Sequence, residues 1–114
     1  MIQQKIFSAL SKLVDGRCFY EVIPETNTKY PVIVYQFPVI SPNNALCNGD
    51  LDDFHVQIDI YSPKAADVFT LRKAVFEALE QAFEYAERGT DFADYEHDTR
   101  LHRRVINYQI AYED

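Results

Sequence analysis

The chain has 114 residues with 18 Asp and Glu against 11 Lys and Arg, a net charge of −7. At 47% hydrophobic and 14% aromatic it can build a core without a metal or a disulfide, and its length suits one domain spanning 1–114. The acidic balance argues against a protein that reads nucleic acid, because phosphate binding draws on clustered cations. The one basic cluster, Arg100, His102, Arg103 and Arg104, follows Asp94, Glu96 and Asp98.

Ile2, Ile6, Leu10 and Leu13 recur at helical spacing over residues 2–14, and Gly16 can take the left-handed conformation that ends such a helix. Residues 18–23 read as a short strand stopped at Pro24, with a polar turn over 25–29. Residues 31–40 form the first strong strand. Pro38 cannot donate to a ladder there, so it marks an edge, a bulge or a bend. The stretch 41–53 is rich in Asn and Asp and reads as a 13-residue loop, a length that usually carries function or disorder.

Residues 54–61 alternate strictly. Phe54, Val56, Ile58 and Ile60 face one side, and His55, Gln57, Asp59 and Tyr61 face the other. Ser62-Pro63 supplies a helix cap and a first-turn proline, and the spacing predicts a helix to about Glu87, roughly 37 Å long. Its core arc is Val68, Leu71, Val75, Leu79, Ala82 and Ala86. Phe69, Phe76 and Phe83 follow one flank, which either widens the core stripe or packs on another subunit. Residues 91–96 then form a plausible strand and 102–112 a firm one, with Ile106, Tyr108, Ile110 and Tyr112 on one face. The order α-β-β-β-α-β-β predicts an α+β fold: a mainly antiparallel sheet of about five strands with two helices on one face.

Chemistry is sparsely signalled. Three glycines leave no phosphate loop, and no nucleophile elbow occurs. Cys18 and Cys47 match no CxxC or CxxH spacing and read as free thiols. Met1 leads directly into an amphipathic segment with no signal core, and no long apolar run occurs. A soluble protein of a reducing cytoplasm is expected, without membrane contact or cofactor. Asn48, Asp50, Asp52 and Asp53 could hold a hard cation, but fit no dedicated calcium loop and read as a solvated acidic loop. His55, Gln57 and Asp59 could serve acid–base chemistry or simply line an exposed sheet face. His97 and His102 would share a metal only if the chain between them folded back; a solvated hairpin turn is the plainer reading.

The helix closing at Leu13-Val14-Asp15-Gly16, the run Tyr30-Pro31-Val32-Ile33-Val34-Tyr35-Gln36, the Asn/Gly/Asp loop, and the strand Val56-Gln57-Ile58-Asp59-Ile60-Tyr61-Ser62 before an Ala-rich helix resemble the tail completion proteins of long-tailed phages and prophages, also called tail terminator or head–tail joining proteins. The resemblance covers nearly the whole chain and carries no catalytic motif. It implies a non-enzymatic structural protein that caps the tail tube as a six-fold ring of self-copies and meets tail tube and head connector proteins. DNA would pass through as unread cargo. Assembly would occur in the bacterial cytoplasm and leave the protein at the tail–head junction of the virion. The expected assembly residues are Tyr35, Phe37 and Pro38 near the bend, Leu46, Asp50 and Leu51 in the loop, and Gln57, Asp59 and Tyr61 on the sheet face. A monomeric host adaptor, or a small-molecule-binding or catalytic domain using the His55/Asp59 face, are the alternatives.

Overall fold

The computed structural model describes residues 1–43 and 51–114. The elements run α1 (Ile2–Ser11) with a 3-10 turn Lys12–Val14, β1 (Cys18–Tyr20), β2 (Val32–Pro42), β3 (Asp52–Ser62), α2 (Ala65–Ala82), β4 (Ala86–Glu96) and β5 (Leu101–Tyr112). The sheet order is β1-β2-β3-β5-β4. Every pairing is antiparallel except β1 with β2. The expected α+β order and the two-helix, five-strand layering are both present.

The alternation in β3 dictates the layering. Phe54, Val56, Ile58 and Ile60 are buried, and they meet Ile6, Leu10 and Val14 from the first helix and Val68, Val75 and Leu79 from α2 in one cluster. Ile33 and Tyr35 from β2, and Ile106, Tyr108 and Ile110 from β5, extend that floor. Apolar residues at every second strand position and every third or fourth helix position leave water together. After the 3-10 turn, Asp15 and Gly16 both take left-handed backbone (φ 50° and 85°), so the reversal begins one residue before the expected glycine.

Four boundaries differ from expectation. First, β1 is three residues long rather than six, and it pairs parallel with β2 through Arg17 C=O to Ile33 N–H and Tyr35 C=O to Glu21 N–H. Second, the 41–53 loop is shorter. Ser41 pairs with Asp53 and Pro42 with Asp52, so the two aspartates belong to β3. Third, Ser62 is the last, fully buried residue of β3, paired with His102. Its hydroxyl accepts from Lys64 N–H and donates to Asp67, and Lys64, not Ser62, caps α2. Fourth, α2 stops at Ala82, giving about 27 Å of helix, because Phe83 turns extended (φ −124°, ψ 135°) into the core against Tyr112.

Of the residues expected to continue that helix, Phe83 to Tyr85 form a turn and Ala86 and Glu87 open β4. Their Ala/Glu content favours helix locally, but the ladder of β4 with β5 overrides it. Gly89 therefore sits beside a register shift in β4, not beyond a helix end. A Cβ there would lie 3.1 Å from the Asn107 carbonyl oxygen.

A charged seam ties β4 and β5 to α2. Asp91 accepts from Arg72 of α2 and Arg104 of β5, each at 2.5 Å. About two turns on, Glu80 takes Arg88 at 2.6 Å and the Tyr108 hydroxyl at 2.5 Å. Phe76 is clamped between the Arg72 and Arg88 guanidinium groups, 4.7 and 4.1 Å from its ring centre. The three flank phenylalanines thus part company: Phe76 and Phe83 are buried here, whereas Phe69 stays 62% exposed.

Val75→Ala or Leu79→Ala should cost about 2–4 kcal/mol in chemical denaturation, while Phe69→Ala should stay within about 0.5 kcal/mol. Burial pushes the Asp91 carboxyl up, but hydrogen bonds from Arg104 and Arg72 outweigh it and hold the group below its ordinary 3.8. Its folded value is the depressed one, so its stabilising contribution is present at neutral pH and lost as pH falls below 3.8. Asp91→Asn should flatten the acid limb of a stability-versus-pH curve, and an unchanged limb would remove Asp91 as its source.

Candidate assembly surface

The face of the sheet away from the helices carries the odd-numbered residues of β3. Asp59 lies there with only 4% of its surface exposed, between Val34 and Val105 across the ladders. Arg103 Nη2 donates to Asp59 at 2.9 Å, and Nη1 reaches Asp94 at 3.5 Å. Gln57 adds contacts of 3.2 and 3.3 Å to the two Asp59 oxygens. Arg103 also lies 5.7 Å from the Tyr61 ring centre, and its buried Nε–H has no partner among the described residues. Burial pushes the Tyr61 hydroxyl's pKa up, against the opposing pull of Arg103.

This network spends the Asp59 carboxylate on internal neutralisation. A general base needs a free carboxylate within reach of its proton, so the His55/Asp59 pair is poorly placed for the catalytic alternative. Grooves on the surface lie elsewhere, such as one between α1 and α2 lined by Lys5, Lys12, Glu77 and Gln81. His97 and His102 both pack edge-on to Tyr95, with ring centres 5.1 and 5.0 Å from it. Two members of the basic cluster are internally paired in the same way, Arg103 to Asp59 and Asp94, Arg104 to Asp91. Burial pushes the Cys18 thiol up to about 12, so it stays protonated and unreactive at neutral pH.

The nine residues expected at an interface fall into three environments. Tyr35 (3% exposed) and Asp59 are buried within the subunit. Gln57, Tyr61, Leu51 and Phe37 are half-buried, and Phe37 joins a chain of edge-on rings from Tyr20 through Tyr35 to Phe54. Pro38 is exposed and lies within the register shift between Gln36 and Val39, the expected bulge. Leu46 and Asp50, with Asn48 of the acidic loop, lie outside the described residues.

Sequence reasoning missed the exposed apolar residues on the two sheet margins. Val39 and Ile40 are 53% and 54% exposed on β2, and Tyr85 and Phe92 are 49% and 50% exposed beside and on β4. The proline at 38 was the available signal for the first pair, and nothing local marked the second.

Residues 4–113 match the family described as Tail completion protein gp17. The chain belongs to the tail completion protein gp17 family. It is a family of phage tail structural proteins, which fits a surface whose charged groups neutralise one another. A chain of the "Virion of native gene transfer agent (GTA) particle" has the same fold, with a TM-score of 0.66 at 12% identity over 99% of this chain and 95% of that one. No curated protein matches the sequence. No helix among the described residues is long and apolar enough to cross a membrane.

Arg103→Ala should destabilise the protein by about 3 kcal/mol, because it strands a buried carboxylate. Replacing Arg103 and Asp59 together with leucine should cost far less. Equal losses in thermal or chemical unfolding would mean that the pair is not coupled.

Proposed function

We propose that the whole chain, 1–114, acts as one unit of a six-fold ring. The ring caps the end of the tail tube, halts its polymerisation and offers the surface on which the head's connector proteins settle. Membership of the family over nearly the full length carries this reading. Three features support it. The face opposite the helices carries Gln36, His55, Gln57, Tyr61, Asn107 and Gln109 with its ion pairs internally closed, a surface suited to contact rather than chemistry. The margins of the sheet carry exposed apolar side chains. The net charge of −7 keeps the subunit from gripping DNA, which would pass the ring as unread cargo.

A head-to-tail contact closes into a ring when its rotation divides a full turn. The subunit would be made in the host cytoplasm and finish at the tail–head junction, with tail tube and connector proteins as partners. No cofactor or metal enters this role.

Deleting the gene from its phage or prophage should leave full heads unattached to tails, and tails of uncontrolled length in electron micrographs. Normal tail length with attached heads would end the reading. Sedimentation of the purified protein over a wide concentration range should show a species near six times 13.3 kDa, or the same ring on isolated tails.

A further inference from the structure

We infer that neighbouring subunits join through their sheets, β4 of one copy pairing with the outer half of β2 of the next. This rests on the ring reading above and names the surfaces that build it. β1 covers β2 only from Ile33 to Tyr35, so among the described residues no strand pairs with Gln36 to Pro42 on that side. β4 is the opposite margin of the sheet.

Both open stretches lie at one level. Register runs from Ile40 through Phe54 and Ile110 to Ala86 in a single row. Their hydrogen-bonding phases also match. Asn43 N–H donates to Leu51 C=O, and alternation along an antiparallel strand then turns Ile40 and Pro42 outward. Ala111 N–H donates to Tyr85 C=O, which turns Ala86 outward in the same way. Ile40 and Ala86 can therefore exchange a reciprocal pair of backbone bonds, while Pro42 can only accept.

Direction agrees as well. Adjacent strands from β2 through β3 and β5 to β4 alternate in direction, so a copy rotated about an axis along the strands presents its β2 antiparallel to β4. Charge decides the partner. The margin near Ala86 carries Glu84 and Glu87, Arg88 beside them is held by Glu80, and β4 continues with Asp94 and Glu96, so pairing two copies of β4 brings an excess of acidic groups together. Gln36 to Pro42 holds no ionisable residue; with Ile40 opposite Ala86, Val39 lies opposite Glu87 and Ser41 opposite Tyr85, so the exposed Val39 and Tyr85 are diagonal neighbours on one face and no like charges are opposed. The occupant of each margin is thus the other margin of a second copy.

The test is a short bis-maleimide cross-link in a Cys47→Ser background, with Cys18 buried. Ile40→Cys combined with Ala86→Cys should give a ladder of covalent multimers ending at the closed ring, in solution or on isolated tails. Covalent dimers from Ala86→Cys alone would overturn the proposal in favour of a two-fold β4 contact. Multimers visible by mass or microscopy without the 40–86 link would overturn the edge assignment and leave the ring intact. Linkage of position 86 to a different tail protein would assign that margin to another partner. Absence of any ring, in solution and on tails, would overturn the functional reading together with this one.

Discussion

β3 lies between β2 and β5 with every second side chain committed to the helix layer, and the other elements take their positions from that commitment. Because Phe54, Val56, Ile58 and Ile60 must all leave water, a slip of one residue would expose four large apolar groups and bury His55 and Gln57 in their place. The same register sets Ile33 and Tyr35 on one side and Ile106, Tyr108 and Ile110 on the other. Both helices then need only an apolar stripe at the right spacing to close the core. The opposite face inherits whatever the alternate positions carry, and here they carry amides, an imidazole and a neutralised carboxylate.

Local pattern was strong where periodicity was strong. The first helix, β2, β3 and β5 were legible because their apolar residues recur at the period of the structure they adopt. The end of α2 was not, because Phe83 to Glu87 has good helical composition, and only the turn at Phe83 to Tyr85 and the ladder of Ala86 and Glu87 with β5 take it out of the helix. The same applies to Asp52 and Asp53, whose polarity suggested loop while their partners Pro42 and Ser41 hold them in the sheet. Asp59 was read correctly as lying on the polar face. Its burial was invisible, because it depends on Arg103, 44 residues away in sequence.

Four arginines of this chain are committed to internal ion pairs. Arg72 and Arg104 serve Asp91, Arg88 serves Glu80, and Arg103 serves Asp59. Lys5 lies 5.0 Å from the Phe83 ring centre and 5.3 Å from that of Tyr112. Negative charge is left on exposed positions such as Glu84, Glu87 and Asp98, where solvent screens it at little cost.

The seam between α2 and β4 also has a mechanical meaning. A strand on the rim of a sheet is ordinarily its weakest member, since a pull across the strands peels its hydrogen bonds one after another. Arg72 and the Phe76 clamp fasten β4 sideways to the helical layer. Peeling must therefore first break contacts that do not lie in the sheet at all. Load applied to that rim is delivered to α2, and through it to the entire core.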